Sequence, residues 1–286
     1  MKKRILVTGA GGQLGLSIKK ISGDYPDCEF IFTDVAELDI TEKKAVGAML
    51  EDCSVDVIIN CAAYTAVDRA EAEPEAARRI NAEGVEVLSR AAAVAGAAMV
   101  HISTDYVFDG TATAPYAEDA PTSPQGVYGI TKAEGEWLFL RSGCRGAIVR
   151  TAWLYSEFGR NFVRTMLSLS LQRDSVSVVC DQLGAPTYAT DLARAVMLLV
   201  GNGFGPKAEI YHFTDGGECT WNRFAERIFA LAAKKCRVEA ITTAQYGAPA
   251  PRPAYSVLSL EKIKAAGVDV PLWEDSLAKC IELIEK

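Results

Sequence analysis

The chain has 286 residues, 49% apolar and 23% charged, a globular balance that excludes a disordered chain. Its 30 Lys plus Arg against 37 Asp plus Glu leave a net charge of -7. No positive excess is therefore available for duplex nucleic acid or an anionic membrane surface.

No apolar run approaches the roughly 20 residues that span a bilayer. The longest, Ala91 to Val100, is mostly alanine. Lys2-Lys3-Arg4 imitates the start of a signal peptide, but Ile5-Leu6-Val7 runs at once into glycines, as a buried strand entering a loop does. The eight cysteines are scattered, with no CxxC pair, and read as reduced thiols of a cytoplasmic protein. Only two histidines occur, and His101 lies inside the apolar run Met99 to Ile102, so it reads as a core residue and no metal site is expected.

In chain order, Ile5 to Val7 reads as a strand buried on both faces, and Leu14, Leu16, Ile18 and Ile21 as one helix. Glu29 to Thr33 is the second strand. Thr41 to Asp52 is a helix with Thr41 as its N-cap, and Val55 to Asn60 is the third strand. Pro74 to Ala95 reads as one long helix, Ala98 to Ser103 as a strand, Gln125 to Arg141 as a helix and Ala147 to Thr151 as a fifth strand. This alternation predicts an α/β fold: a Rossmann-type, doubly wound parallel sheet. The expected division is a dinucleotide-binding domain over residues 1–151 and a smaller, partly interleaved substrate-binding domain over 152–286, with some segments returning to the first.

Gly9, Gly12 and Gly15 form a GxxGxxG loop between a strand and a helix. Such a loop lets a pyrophosphate approach the backbone and rest on the helix N-terminus. Asp34 ends the second strand, 19 residues after Gly15. A carboxylate there accepts from ribose hydroxyls and repels a 2′-phosphate, which favours NADH over NADPH; an ordinary turn aspartate is the alternative. Tyr128 and Lys132 are four residues apart on a predicted helix and share a face. A lysine there is expected to lower the tyrosine's pKa and make it a proton donor to a developing alkoxide. Thr104 is expected to donate a hydrogen bond to a substrate oxygen. Gly9, Gly12, Asp34, Ala63 and Thr104 all fall at carboxyl ends of predicted strands, on one rim.

At these residues the sequence resembles the extended short-chain dehydrogenase/reductases, and within them the dTDP-4-dehydrorhamnose reductase family. The matching stretches are Gly9 to Gly15, Asn60 to Asp68 with Ala70-Glu71, Ser103 to Phe108, Val127 to Gly129 with Thr131-Lys132, Arg150 to Trp153, Asn161-Phe162, Asp181-Gln182 with Gly184 to Thr187, and Arg252-Pro253; the runs from Asn60, Ser103 and Asp181 are the more specific. The resemblance implies that Gly12, Gln13 and Leu14 hold the cofactor pyrophosphate and that Asp39 and Ile40 flank the adenine. It also implies that Ala62, Ala63, Tyr64 and Thr65 line the path to the nicotinamide. Tyr128 would be the proton donor, and Lys132 would also bind the nicotinamide ribose. Thr104, Asp105, Trp153 and Arg252 would face the substrate; for Trp153 a core role and for Arg252 a solvated loop are the alternatives.

The implied activity is NADH- or NADPH-dependent reduction of the C4 keto group of a dTDP-linked 4-keto-6-deoxy sugar. The product would be dTDP-L-rhamnose for cell-surface polysaccharide, made by a monomer or homodimer. Gly15 and Thr190 stand where a metal-bridged dimer would need carboxylates, so no metal is expected. Tyr106 replaces the second carboxylate of the related dehydratases. A reductase of a related nucleotide-linked 4-keto-deoxysugar, or a non-catalytic dinucleotide-binding regulatory homologue, are the competing readings.

Overall fold

The computed structural model describes residues 2–286. Six parallel strands form the main sheet: β1 (Lys3–Thr8), β2 (Cys28–Thr33), β3 (Val57–Asn60), β4 (Ala98–Thr104), β5 (Gly146–Thr151) and β6 (Ala208–His212). Their spatial order is β6-β5-β4-β3-β1-β2. The order reverses between β1 and β3, which opens a crevice beyond the strand carboxyl ends.

Side chains alternate across this sheet with period two. Ile5, Val7, Ile59, Val100 and Val149 pack on one face against helix α1 (Gln13–Ile21) and the helix Ala189–Asn202. Leu6, Ile58, Met99 and Ile148 point the other way, toward α2 (Lys43–Asp52), α3 (Gly84–Ala95) and α4 (Val127–Arg141). Both faces are dry, as the continuous apolar strands require.

A second core gathers Tyr155, Val163, Leu167, Val176, Val178, Phe224, Ile228 and Leu277. It surrounds a short parallel pair, Ser175–Val179 with Arg237–Ile241. Between its segments the chain returns to the main sheet: Ala189–Asn202 packs on α1 and β6 adds the edge strand beside β5. No helix of the described residues is long and apolar enough to cross a membrane.

Two local expectations are corrected. Thr41 does not cap α2, whose N-cap is Glu42 without a side-chain cap bond. The Thr41 hydroxyl instead donates to Asp39 Oδ1 at 2.7 Å and accepts from Arg79 at 2.9 Å. The stretch from Pro74 to Ala95 is not one regular helix: Arg79–Glu83 forms a π-helical turn before α3. That extra residue turns Asn81 inward, where its amide grips both backbone groups of Tyr64, at 2.8 and 3.1 Å.

Candidate active site

Strand register brings the ends together. Thr8 lies beside Asn60, Asn60 beside His101, and Thr104 beside Thr151. Above these ends lies a cleft of about 1030 Å³. Its floor at one end is the glycine loop. Gly9 has φ of 63°, and a Cβ there would lie 2.6 Å from the Ala62 nitrogen. Gly12 caps α1 without any side chain, so the first-turn N–H groups are open to an anion. Gly11 N–H donates to Asp34 Oδ2 at 2.9 Å, which ties β2 to this loop. An uncapped helix of nine residues beneath an open crevice, with a carboxylate at its flank, fits a dinucleotide.

Most residues singled out in the sequence line this one cleft: Gly9, Gly12, Gln13, Leu14, Gly15, Asp34, Asp39, Ile40, Ala62, Ala63, Thr65, Thr104, Asp105, Tyr128, Lys132 and Trp153. Two do not. Asn81 fixes the Tyr64 backbone, and the Tyr64 hydroxyl donates to Glu73 at 2.7 Å, away from the cleft. Arg252 is neutralised by a two-point contact with Asp68, both oxygens at 2.8 Å, and reaches Tyr106 Oη only at 3.4 Å.

Trp153 is a wall of the cleft. Its φ is 48°, and its ring stacks on Trp221 with centroids 3.6 Å apart. Trp221 and Phe162 complete that wall and received no role from the sequence. Trp221 lies in the second half, where no strand alternation points to a rim. Its only signal is an aromatic residue opening a helix. Gln13 faces the cleft, but its side chain is engaged by the smaller lobe. Its Oε1 accepts from Ser156 and Asn161, each at 3.0 Å.

The reacting end is set by β4 and α4. Thr104 ends β4 and donates to Asp105 Oδ1 at 2.9 Å. Asp105 is buried, and its Oδ2 has no hydrogen-bond partner. Burial pushes its carboxyl up to about 6, against the hydrogen bonds it accepts. Tyr128 packs edge-on against Tyr106, centroids 5.5 Å apart.

The expected lowering of the Tyr128 pKa by Lys132 does not occur here. Burial raises the phenol above its ordinary value, Asp105 and Tyr106 add to this, and the Thr104 hydroxyl opposes it. The reason is where the lysine points: Lys132 Nζ donates to the Ile102 carbonyl at 2.6 Å, down toward β4. Burial pulls Lys132 itself down to about 8, against the attraction of Glu136. Glu136 is in turn locked to Arg150 at 2.7 Å and accepts from Ser103.

A glycine-loop sheet with a hydroxyl, a phenol and an amine on one rim fits a dinucleotide-dependent oxidoreductase of the short-chain dehydrogenase/reductase type. The family model described as the RmlD substrate binding domain matches residues 2–285, and the chain belongs to that family. It is 44% identical to a dTDP-4-dehydrorhamnose reductase of Aggregatibacter actinomycetemcomitans, over 96% of this chain and 97% of that one. It is 38% identical to a dTDP-4-keto-6-deoxy-D-glucose reductase of Streptomyces niveus, over 99% of this chain and 98% of that one. The crystal structure of the Bacillus anthracis dTDP-4-dehydrorhamnose reductase in complex with NADP superposes with a TM-score of 0.94, at 37% identity and full coverage of both chains. The chain is accordingly an NAD(P)H-dependent oxidoreductase.

Proposed function

We propose that the protein reduces the C4 keto group of dTDP-4-dehydro-6-deoxy-L-mannose to give dTDP-L-rhamnose, in the cytoplasm, as a monomer or homodimer. The observation that carries this reading is the meeting of Thr104, Tyr128 and Lys132 at the inner end of a cleft whose outer end is the glycine loop. When bound, the nicotinamide cofactor supplies the hydride.

The protein's own residues supply the rest. Gly12, Gln13 and Leu14 offer the helix N-terminus to the pyrophosphate, and Asp34, Asp39 and Ile40 stand at the adenosine end. Tyr128 holds its proton firmly, because burial disfavours the phenolate, and gives it to the alkoxide oxygen as that charge develops. Lys132 would hold the nicotinamide ribose, and its ammonium favours the phenolate left behind once Nζ leaves the Ile102 carbonyl. Thr104 orients the carbonyl, and the Trp153–Trp221 stack gives the sugar or base a flat apolar wall.

Asp34 still favours NADH, since its carboxylate would repel a 2′-phosphate. Its Oδ2 is already held by Gly11 N–H, which fixes the charge at that place. Arg79 lines the same end of the cleft, but it is paired with Asp39 at 3.1 Å.

The test is a comparison of kcat/KM for dTDP-4-dehydro-6-deoxy-L-mannose and dTDP-4-keto-6-deoxy-D-glucose, each with NADH and with NADPH. Preference for the first sugar by about tenfold or more supports the reading, being the discrimination one well-placed contact gives. Preference for the second would move the assignment to that related 4-keto sugar.

A further inference from the structure

Below the cleft floor runs a chain of buried hydrogen bonds that the proposed chemistry leaves unused. Thr8 Oγ1 donates to Asn60 Oδ1 at 2.7 Å, and Ala62 N–H donates to the same oxygen at 3.2 Å. A backbone N–H can only donate, so this atom is the amide oxygen. The Asn60 NH2 group must then be the one facing His101 Nδ1, at 3.1 Å. An NH2 group also only donates, so Nδ1 carries a lone pair.

Asn60 and His101 have no exposed surface. Burial, with the Lys132 charge adding to it, holds the imidazole well below its ordinary pKa, so the ring is neutral. A neutral ring with a bare Nδ1 has its proton on Nε2. That Nε2 lies 3.4 Å from Lys132 Nζ. An ammonium cannot accept a hydrogen bond and an amine can. The ring thus faces the lysine with a donor, which penalises the charged form.

We propose that His101, locked as its Nε2–H tautomer by Asn60, is a positioning residue for Lys132: it presents a donor to Nζ, which turns the amine's own donors toward the Ile102 carbonyl of β4 and disfavours the ammonium. This rests on reading Lys132 as part of the redox site. The other groups facing Lys132 do not cancel the effect. Glu136, one turn along α4, spends its charge on Arg150, at 2.9 and 2.7 Å. Cys61, after β3, is pushed up to about 12 by burial and stays an uncharged thiol. Tyr128, one turn back, keeps its proton.

The two histidines make a direct test possible. His212 Nε2 lies 3.4 Å from Arg150, whose guanidinium only donates, which favours the Nδ1–H tautomer for that ring. The full chain labelled with 15N-histidine should therefore show one neutral ring of each tautomer in a multiple-bond 1H–15N spectrum. The Nε2–H ring should stay neutral from about pH 6 to 9, well above the ordinary imidazole pKa. Its nitrogen shifts should pass through one inflection near 8, where Lys132 loses its proton. An Nδ1–H ring for His101, assigned by the signal that His101→Asn removes, or an Nε2–H ring with no such inflection, would overturn the proposal.

A kinetic arm adds a readout that folding alone does not move. His101→Asn keeps an acceptor for Asn60 and removes the donor facing Lys132. The alkaline limb of kcat/KM should then move up by about half to one pH unit, the size of one hydrogen-bond dipole. His101→Gln, whose amide can turn its oxygen toward the ammonium, should move the limb up at least as far. An unmoved limb in His101→Asn contradicts the coupling. The spectrum needs no substrate, so inactivity toward the sugar would sink the proposed reaction while leaving this assignment standing.

Discussion

The Tyr106 carbonyl occupies the place where a Cβ on Gly129 would lie, and Pro124 closes the other side at 3.0 Å. The absence of a side chain at Gly129 lets α4 settle on the 105–107 turn and carries Tyr128 to Thr104. Gly129→Ala should force the helix outward and cut turnover by about 100-fold, the usual effect of a shift near 1 Å at a reacting group. Steady-state kcat on the folded variant checks this.

Asp105 sets a second expectation. While ionised it accepts the Thr104 hydrogen bond and so competes with a substrate carbonyl for that donor. Its carboxyl, raised to about 6, becomes neutral as pH falls through that value, and the Thr104 hydroxyl is released. The KM for the sugar should therefore fall as the pH is lowered from 7.5 toward about 6. In Asp105→Asn, whose amide can donate to Thr104 at any pH, the KM should be flat over this range. A KM that rises on acidification in the wild type would contradict the account. Among single residues, Thr104, Tyr128 and Lys132 were legible because strand ends and helical spacing put them on one rim. The direction of the Lys132 amine was not, because it follows from a carbonyl of β4 that no sequence spacing reveals.

At the scale of elements, α4 joins the sheet through a charge pair that apolar patterning hides. Glu136 and Arg150 are 3% and 2% exposed and form an ion pair in a dry setting. Glu136→Gln should leave the Arg150 guanidinium unpaired and cost about 3–5 kcal/mol, read as a lower denaturant midpoint. Replacing both by apolar residues should cost much less. The strands of the main sheet were readable because they are buried on both faces and end in turn residues. The π turn at Arg79–Glu83 was not, since its alanines and charges suit a regular helix equally well. Its reason is tertiary: Asn81 must face Tyr64 and Thr131 at once. Thr41 misled for a similar cause, as Asp39 and Arg79 claim its hydroxyl before α2 can use it.

At the scale of the whole molecule, the cleft is closed by two cores that contribute unequal chemistry. The sheet carries the open helix N-terminus, the hydroxyl, the phenol and the amine; the smaller lobe carries flat aromatic surface and holds the glycine loop through Gln13. The second half was harder to read because its elements are short and its chain leaves and rejoins the sheet. Trp221 reaches the cleft only through that path.

The central claim, that Tyr128 is the proton donor beside the bound dinucleotide, is tested most directly by Tyr128→Phe, with turnover and NADH affinity measured on one preparation. Turnover should drop by about 100-fold or more, the size of a general-acid contribution, while the dissociation constant changes by less than about twofold. A variant that reduces the sugar at the wild-type rate would contradict the assignment.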